Sequence, residues 1–188
     1  MAETTSGLSS SLSDGYYGNI KEKTANKTDE ENAAESFQVV EFLLGQEHFA
    51  IDLFDVKEVV EYTRITKLPN SPLYIKGIID LRSEITTIID LKRILAITSS
   101  AIATEEDSRI IVLDDRLTRS KIGIMVDDVL TVSTFHKGLV DETTTSGDDS
   151  NHIIGIIKKR IKDKDKESTE LIIWLDVKSL IRDMDNAG

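Results

Sequence analysis

The chain has 188 residues, with 34 acidic and 23 basic side chains, a formal net charge of −11, two prolines and no cysteine. The negative charge argues against nucleic acid or an anionic membrane as the main partner, since both bind through basic surfaces that displace counterions. Without cysteine there is no disulfide, thiol nucleophile or cysteine-ligated zinc, and no stretch reaches the ~18 apolar residues that span a bilayer. We therefore expect a cytoplasmic protein, and its abundant isoleucine and valine favour strands.

Residues 1–35 are expected to form a disordered acidic tail. They are mostly Ser, Thr, Asn, Lys and Glu, and their three lysines and seven acidic residues give a net charge of −4. Such a segment offers little apolar surface to bury. A short recognition peptide around Tyr16 and Tyr17 is the alternative. The folded domain is expected to span residues 36–188.

The first part of this domain is predicted to begin with a hairpin and to continue as a helix. Alternation predicts the hairpin, and the alternating residues are Val40, Phe42, Leu44, Phe49, Ile51 and Leu53. From the candidate N-cap Asp52 the apolar spacing changes to a helical stripe, which predicts a short helix to about Tyr62. A brief strand to Lys67 should follow, and the pair Ser71 and Pro72 predicts one helical turn that ends at Gly77.

Later apolar runs predict six strands and two further helices. The strands are Gly77–Leu81, Ile85–Ile89, Arg109–Leu113, Lys121–Val126, Val129–Thr134 and Leu171–Leu175. Asp90 and Asp176 should cap the helices, and the second helix has apolar residues at close helical spacing. The acidic segment Phe135–Ser150 is predicted to be a loop, and the mixed-charge segment Lys158–Glu167 a solvated excursion.

No residues are predicted to be catalytic, to bind a cofactor or to hold a metal. Nucleophile elbows and phosphate-binding loops are missing, and His48 should face solvent because it alternates with Phe49. Asp148, Asp149 and His152 could converge on a metal, but they lack a defined ligand spacing, and a solvated turn explains this acidic loop better.

Adjacent acidic residues and a cluster of valines are two further features that could mark a functional site. The pairs Asp114–Asp115 and Asp127–Asp128 do not resemble catalytic acids, because neighbouring residues on a strand point to opposite faces, and we interpret them as strand-end turns. The valines near residue 56 either line an exposed apolar groove or belong to the core, and the sequence favours neither.

Ordered motifs from Phe37 to Ile181 resemble the CheW-type chemotaxis coupling proteins. The motifs are Phe42-Leu-Leu-Gly45, Phe49-Ala-Ile-Asp52, Val56-x-Glu58-Val59, Leu68-Pro69-x-x-Pro72-x-x-Ile75-Lys76-Gly77, Asp80-Leu81-Arg82-Ser83, Ile88-Ile89-Asp90-Leu91 and Ile122-Gly123-Ile-x-Val126-Asp127-x-Val129. The chain departs from the family pattern at Ser83, where a glycine is usual, and in the length of the basic segment 158–167.

The resemblance implies a non-enzymatic scaffold without cofactors. Its fold would be mainly β with short helices, built from two similar five-stranded β-barrel (SH3-like) subdomains that share a core. It would bind the cytoplasmic tips of methyl-accepting chemoreceptors and the regulatory domain of the histidine kinase CheA, and would meet the membrane only through receptors. We call the implied receptor-facing groove residues the docking residues: Val56, Glu58, Val59, Gly77, Arg82 and Val129. The kinase-binding residues are unknown.

Two alternatives to this function remain at this stage. One is the coupling domain of a CheV-like protein or of a non-motility signalling array. A CheV-like protein carries a receiver domain, for which no room is expected after Asp176. The other is a metal-binding protein that uses the 148–152 loop.

Overall fold

Two β-sheets organise the residues that the computed structural model describes, which are 36–97, 104–118, 120–142, 152–163 and 166–186. The strands are β1 (Ser36–Leu44), β2 (Glu47–Asp52), β3 (Val56–Glu61), β4 (Ile75–Leu81), β5 (Glu84–Asp90), β6 (Arg109–Leu113), β7 (Ile122–Val126), β8 (Asp128–His136), β9 (Val140–Asp141), β10 (Ile153–Asp163) and β11 (Lys166–Leu175). The helices are α1 (Leu91–Ile94) and α2 (Val177–Asn186), with 3₁₀ turns at Leu53–Asp55, Glu105–Asp107 and Lys137–Leu139. Within these ranges, no helix is long and apolar enough to cross a membrane.

The chain crosses between the sheets twice along its first eight strands. One sheet has six strands in the order β8-β1-β2-β11-β10-β9, and the other has five in the order β3-β6-β7-β5-β4. The crossings follow β2 and β7, and each sheet includes a parallel pair, β11 with β2 and β5 with β7. The five-stranded sheet is therefore formed by consecutive strands, β3 to β7, whereas the six-stranded sheet combines β1 and β2 with β8 to β11.

The two sheets have one core in common and one core each of their own. The shared core includes Phe42, Leu44, Phe49 and Ile51 from the six-stranded sheet, Ile89, Ile111, Leu113 and Ile124 from the five-stranded sheet, and Leu180 and Ile181 from α2. Ile88 and Ile110, the strand neighbours of Ile89 and Ile111, point to the opposite face, into a separate core that belongs to the five-stranded sheet alone and that we call its private core. The expected mainly β fold of two subdomains with a shared core is confirmed, with six strands in one sheet and five in the other.

Several local predictions are confirmed because their signal is short-range. The β1–β2 hairpin turns at Gly45, whose φ of 66° suits glycine, and β4 pairs with β5 in antiparallel register. Helix α2 begins after Asp176, whose carboxylate accepts a hydrogen bond from the Ser179 amide at 3.0 Å.

Two helices predicted in the region from Asp52 to Gly77 are wrong. Asp52 does cap the amide of Phe54 at 2.8 Å, but only a 3₁₀ turn follows it, and residues Val56–Glu61 then form β3. The segment forms a strand because it pairs with β6. The bulge between Val56 and Glu58 breaks the strict alternation of the strand, which explains why the valine spacing also fits a helix. After Pro72 the chain makes a turn and enters β4 without a helical turn.

Two predicted loops are partly strands. The segment predicted as a loop from Phe135 contains the end of β8, a 3₁₀ turn and the short strand β9, whereas residues 143–150 lie outside the described residues. The charged segment from Lys158 to Glu167 was predicted to be a solvated excursion. Lys158, Arg160, Ile161 and Glu167 are indeed exposed, but the segment is not a loop, because it continues β10 and β11 as a paired hairpin. The expected tail, residues 1–35, also lies outside the described residues.

The six-stranded sheet has its own core, its private core, on the face that carries Val39 and Ala50. On that side lies a group that we call the buried polar cluster: Glu41 and His48 are buried, and Lys159 and Glu170 are half-buried. Glu41 is fully buried and its carboxylate accepts hydrogen bonds from the Lys159 ammonium at 2.7 and 3.0 Å. His48 Nε2 lies 3.1 Å from Glu41 and Nδ1 lies 2.9 Å from Glu170, in contacts that lack the angles of hydrogen bonds. The prediction that His48 faces solvent is wrong, because both faces of this sheet are covered here.

Candidate functional site

Strand β3 presents the first three docking residues at an edge of the five-stranded sheet. Its residues alternate between half-buried and exposed, so Val56 packs against the shared core while Val59 is 41% exposed. Val60 packs against the private core of this sheet. The open choice between groove and core is therefore answered residue by residue: Val59 is available for contact, and Val56 is mostly a packing residue.

Glu58 and Arg82 form a two-point ion pair. The guanidinium Nη2 lies 2.8 Å from Glu58 Oε2, and Nη1 lies 3.3 Å from Oε1. Glu58 is in β3 and Arg82 is in the β4–β5 turn, and these strands are the two ends of the sheet order. The sheet is therefore curled so that its first and last strands approach each other, which sets both charges at one end of the subdomain.

The pair is exposed on the arginine side. The Arg82 side chain is 76% exposed and that of Glu58 is 22% exposed. A bidentate contact of this kind fixes the direction of the guanidinium while solvent keeps its contribution to stability small. The pair therefore adds little to the stability of the fold and leaves part of the guanidinium open to solvent.

The turn that carries Arg82 is strained. Arg82 and Ser83 have φ values of 55° and 67°, a left-handed conformation that side chains with a Cβ disfavour. The Asp80 carboxylate offsets part of this cost by accepting a hydrogen bond from the Ser83 amide at 2.8 Å. The glycine usual in the resembled family would adopt this backbone without the penalty, so Ser83 is a real departure.

Gly77 is buried and shapes the backbone rather than presenting a side chain. Its φ is 150°, and a Cβ built there would lie 2.3 Å from the carbonyl oxygen of Thr66. Thr66 and Ile78 exchange two backbone hydrogen bonds of 2.8 Å at this crossing. Its membership of a partner-binding groove remains a prediction, and any effect of replacing it would act through the path of β4.

The sixth docking residue, Val129, lies near the start of β8, at the edge of the six-stranded sheet. It is half-buried and packs against the same shared core as Val56. On the same strand Leu130 is 43% and Val132 is 51% exposed, and neither residue is among those predicted from the sequence to contact a partner. Because Leu130 and Val132 are two residues apart, a strand places them on the same face. The sequence did not show whether that face of β8 would be packed against the core or exposed to solvent.

The metal hypothesis has no support among the described residues. Asp148 and Asp149 lie outside them, while His152 Nδ1 is 3.3 Å from the Ser179 hydroxyl and Nε2 is 3.7 Å from Asp183. In the ranges that are described, no group of three metal-ligating side chains converges.

Comparison with known proteins gives the family. The family model of the CheW-like domain matches residues 38–185. The chain belongs to the CheW-like family. It is 29% identical over 150 residues to the chemotaxis protein CheW of Treponema pallidum, covering 78% of this chain and 82% of that protein. It is 26% identical over 153 residues to CheW of Thermotoga maritima, covering 81% and 93% of the two chains.

The fold comparison agrees with the CheW-like assignment. The crystal structure of the scaffolding protein TtCheW from Thermoanaerobacter tengcongensis matches with a TM-score of 0.59 and 33% identity, over 74% of this chain and 83% of that one. Family and fold together make the chain a chemotaxis scaffold protein of a non-catalytic family, and the CheV-like and metal-binding alternatives are not favoured.

Proposed function

We propose that this protein couples chemoreceptors to the histidine kinase CheA in the cytoplasm and catalyses no reaction of its own. Residues 36–188 form the working domain in this proposal, and residues 1–35 are a tail without an assigned role. The receptor tip would bind at the docking residues, and the regulatory domain of CheA would bind elsewhere on the barrel surfaces. Membrane association would be indirect, through the receptor.

The exposed Glu58–Arg82 pair is the observation that supports the receptor site most directly. An exposed guanidinium that is held by a carboxylate presents hydrogen-bond donors in a fixed direction, which costs a partner little ordering entropy on binding. Val59, the next residue of β3, adds exposed apolar surface at the same sheet edge, although its side chain points to the opposite face of the strand from Glu58. Apolar contacts with a few charges at their rim are a common arrangement in protein recognition.

A helical hairpin tip is a chemically suitable partner for this surface. A helix offers apolar side chains at a spacing of three and four residues, and a flanking acidic side chain could pair with Arg82. Val56 and Val129, which pack on the shared core, would support the surface from beneath. The charged pair would then act mainly on orientation and specificity, while the apolar contacts would supply most of the affinity.

Co-sedimentation with receptor-containing membranes and CheA tests this proposal. We expect Arg82→Glu to lose receptor-dependent recruitment, because it places two carboxylates against each other and reverses the charge offered to the partner. Arg116→Glu is the matched control: Arg116 is 73% exposed and pairs with Asp114 at 2.6 Å, yet it lies outside the docking residues. Full recruitment of a folded Arg82→Glu protein would refute the proposed receptor surface.

The apolar part of the surface needs its own variant. Val59→Asp should weaken recruitment and leave the fold intact, since this side chain is already partly in solvent. Leu171→Asp, at a 57% exposed position on β11, introduces the same charge on the other sheet and should recruit normally. If the two variants bind equally well, Val59 does not contact the receptor.

A further inference from the structure

One carboxylate lies at the point where the chain passes from the five-stranded sheet to the six-stranded sheet. Asp127 is the single residue between β7 and β8, which belong to different sheets. Its side chain is 20% exposed. The sequence suggested only a strand-end turn here, and the proposed function gives this residue no role.

The Asp127 side chain joins three segments of the protein. Its Oδ2 accepts a hydrogen bond from the Gly45 amide in the β1–β2 turn at 2.5 Å, and its Oδ1 accepts one from the Lys92 ammonium of α1 at 2.5 Å. Its own backbone amide donates to the Leu43 carbonyl at 3.0 Å. Two of these contacts reach the first hairpin of the six-stranded sheet, and the third reaches the helix that follows β5 of the other sheet.

The partners of Asp127 explain why a short acidic residue is needed. The Gly45 amide and the Lys92 ammonium are both donors, so they require two acceptor oxygens within one small group, which an ionised carboxylate provides. Lys92 is 23% exposed, and the partial burial of both groups makes their attraction stronger than that of a surface pair. An asparagine would keep one acceptor and would turn a donor towards either Gly45 or Lys92.

We infer that Asp127 is a positioning residue that fixes the start of β8 relative to the five-stranded sheet. Val129 lies two residues further along and packs on the shared core, whereas Glu58 and Arg82 belong to the other sheet. The spacing between Val129 and the Glu58–Arg82 pair therefore depends on the crossover that Asp127 holds. The consequence for receptor binding rests on the proposed function, whereas the positioning itself does not.

Distance measurement between two spin labels tests the positioning directly. The chain has no cysteine, so Glu61→Cys on β3 and Thr131→Cys on β8 give one labelled site in each sheet, both at exposed positions. We expect Asp127→Ala, Asp127→Asn and Lys92→Met to shift or broaden the inter-label distance distribution. Asp115→Asn is the control, since it removes an exposed carboxylate that pairs with Lys57 at 2.8 Å and lies at no crossover.

The outcomes separate this inference from the proposed function. If Asp127→Ala does not fold, Asp127→Asn and Lys92→Met decide the question. An unchanged distance distribution in folded variants overturns the inference, whatever the receptor assay shows. A changed distribution supports it, even if the unmodified protein recruits no receptor and the proposed function fails. If the unmodified protein does bind receptors, recruitment should fall about 2- to 30-fold in the Asp127 variants, as for residues that act through a coupled element.

Discussion

The two subdomains each hold a glutamate against a basic side chain, but in opposite surroundings. In the six-stranded sheet, Glu41 is fully buried and contacts Lys159 and His48. In the five-stranded sheet, Glu58 contacts Arg82, whose side chain is 76% exposed. Loss of the basic partner should therefore affect protein stability differently in the two sheets, because a buried carboxylate depends on that partner to replace water and an exposed ion pair does not.

The comparison separates stability from recognition. Removing Lys159 leaves the fully buried Glu41 carboxylate without its cation and without water, so the fold carries the cost. Removing Arg82 leaves Glu58 partly in solvent, so the fold should hardly respond. A charged pair that adds little to stability is free to be selected for binding. Substitutions at the buried and the exposed glutamate should therefore affect stability to very different degrees.

Glu41→Gln should lower the free energy of unfolding by about 1–3 kcal/mol, because it deprives the half-buried Lys159 ammonium of the carboxylate that accepts its two hydrogen bonds. Urea denaturation followed by circular dichroism measures this. Glu61→Gln, at an exposed position of β3, is the control and should change stability by less than about 0.5 kcal/mol. Equal effects of the two substitutions would remove the distinction between buried and exposed carboxylates.

Ser83→Gly should raise the free energy of unfolding by about 1 kcal/mol, since glycine adopts the φ of 67° in the Arg82 turn without strain. The thermal midpoint should rise accordingly. Ser168→Gly in β11, where the backbone is an ordinary strand, should instead destabilise by about 0.5–1 kcal/mol. A loss of stability with Ser83→Gly would show that the turn is not strained.

The Glu58–Arg82 pair should couple weakly in stability. A double-mutant cycle with Glu58→Gln and Arg82→Gln is expected to give about 0.2–1 kcal/mol, and the value should fall in high salt. Chemical denaturation of the four proteins measures it. A coupling energy of the size expected for a buried pair would contradict the assignment of this pair to recognition.

The smallest effect concerns the slope of stability against pH. Burial raises the pKa of Asp55 above 3.8, and the hydrogen bond with Lys178 only partly opposes this. The folded state thus holds the Asp55 proton to higher pH than the unfolded state, so its contribution to stability is greatest below pH 3.8 and is lost as the pH rises through the folded pKa. As the pH rises through the folded pKa of Asp55, the Asp55→Asn variant should therefore gain stability relative to the unmodified protein.

The half-buried carboxylate of Asp114 should give a slope of stability against pH of the opposite sign. Its hydrogen bonds with Arg116 lower its pKa below 3.8, so its contribution is present above that pH and is lost as the pH falls through the folded pKa. Asp114→Asn should therefore lose stability relative to the unmodified protein as the pH rises towards 3.8. Denaturation curves at several acidic pH values compare the two variants, and slopes of the same sign would contradict this pair of assignments.

Features set by neighbours in sequence could be predicted, and features set by distant pairing could not. The cap at Asp176 and the Gly45 turn depend on a few adjacent residues, and both predictions hold. Strand β3 depends on pairing with β6, about fifty residues away, and the local valine spacing there fits two periods equally. The sequence therefore predicted a helix where the sheet requires an edge strand.

Burial was misjudged where a sheet is covered on both faces. His48 alternates with Phe49, which usually means one buried and one solvated face. Neighbouring strands of the same sheet nevertheless enclose His48 on its second face, where Glu41 and Glu170 contact it and Lys159 contacts Glu41. The β10–β11 hairpin, which carries Lys159 and Glu170, is charged and was predicted to be a loop, so these contacts could not be anticipated. The docking residues came from family resemblance, and physical reasoning from the sequence supplied neither the Glu58–Arg82 contact nor the crossover at Asp127.

Receptor recruitment of two folded variants, Arg82→Gln and Lys159→Met, tests the separation of recognition from stability most directly. Both substitutions remove one positive charge from a glutamate partner, one at the exposed pair and one in the buried polar cluster. We predict that Arg82→Gln loses receptor recruitment with nearly unchanged stability, and that Lys159→Met loses stability but recruits normally under conditions where it is folded. Normal recruitment by Arg82→Gln, together with impaired recruitment by folded Lys159→Met, would contradict the account.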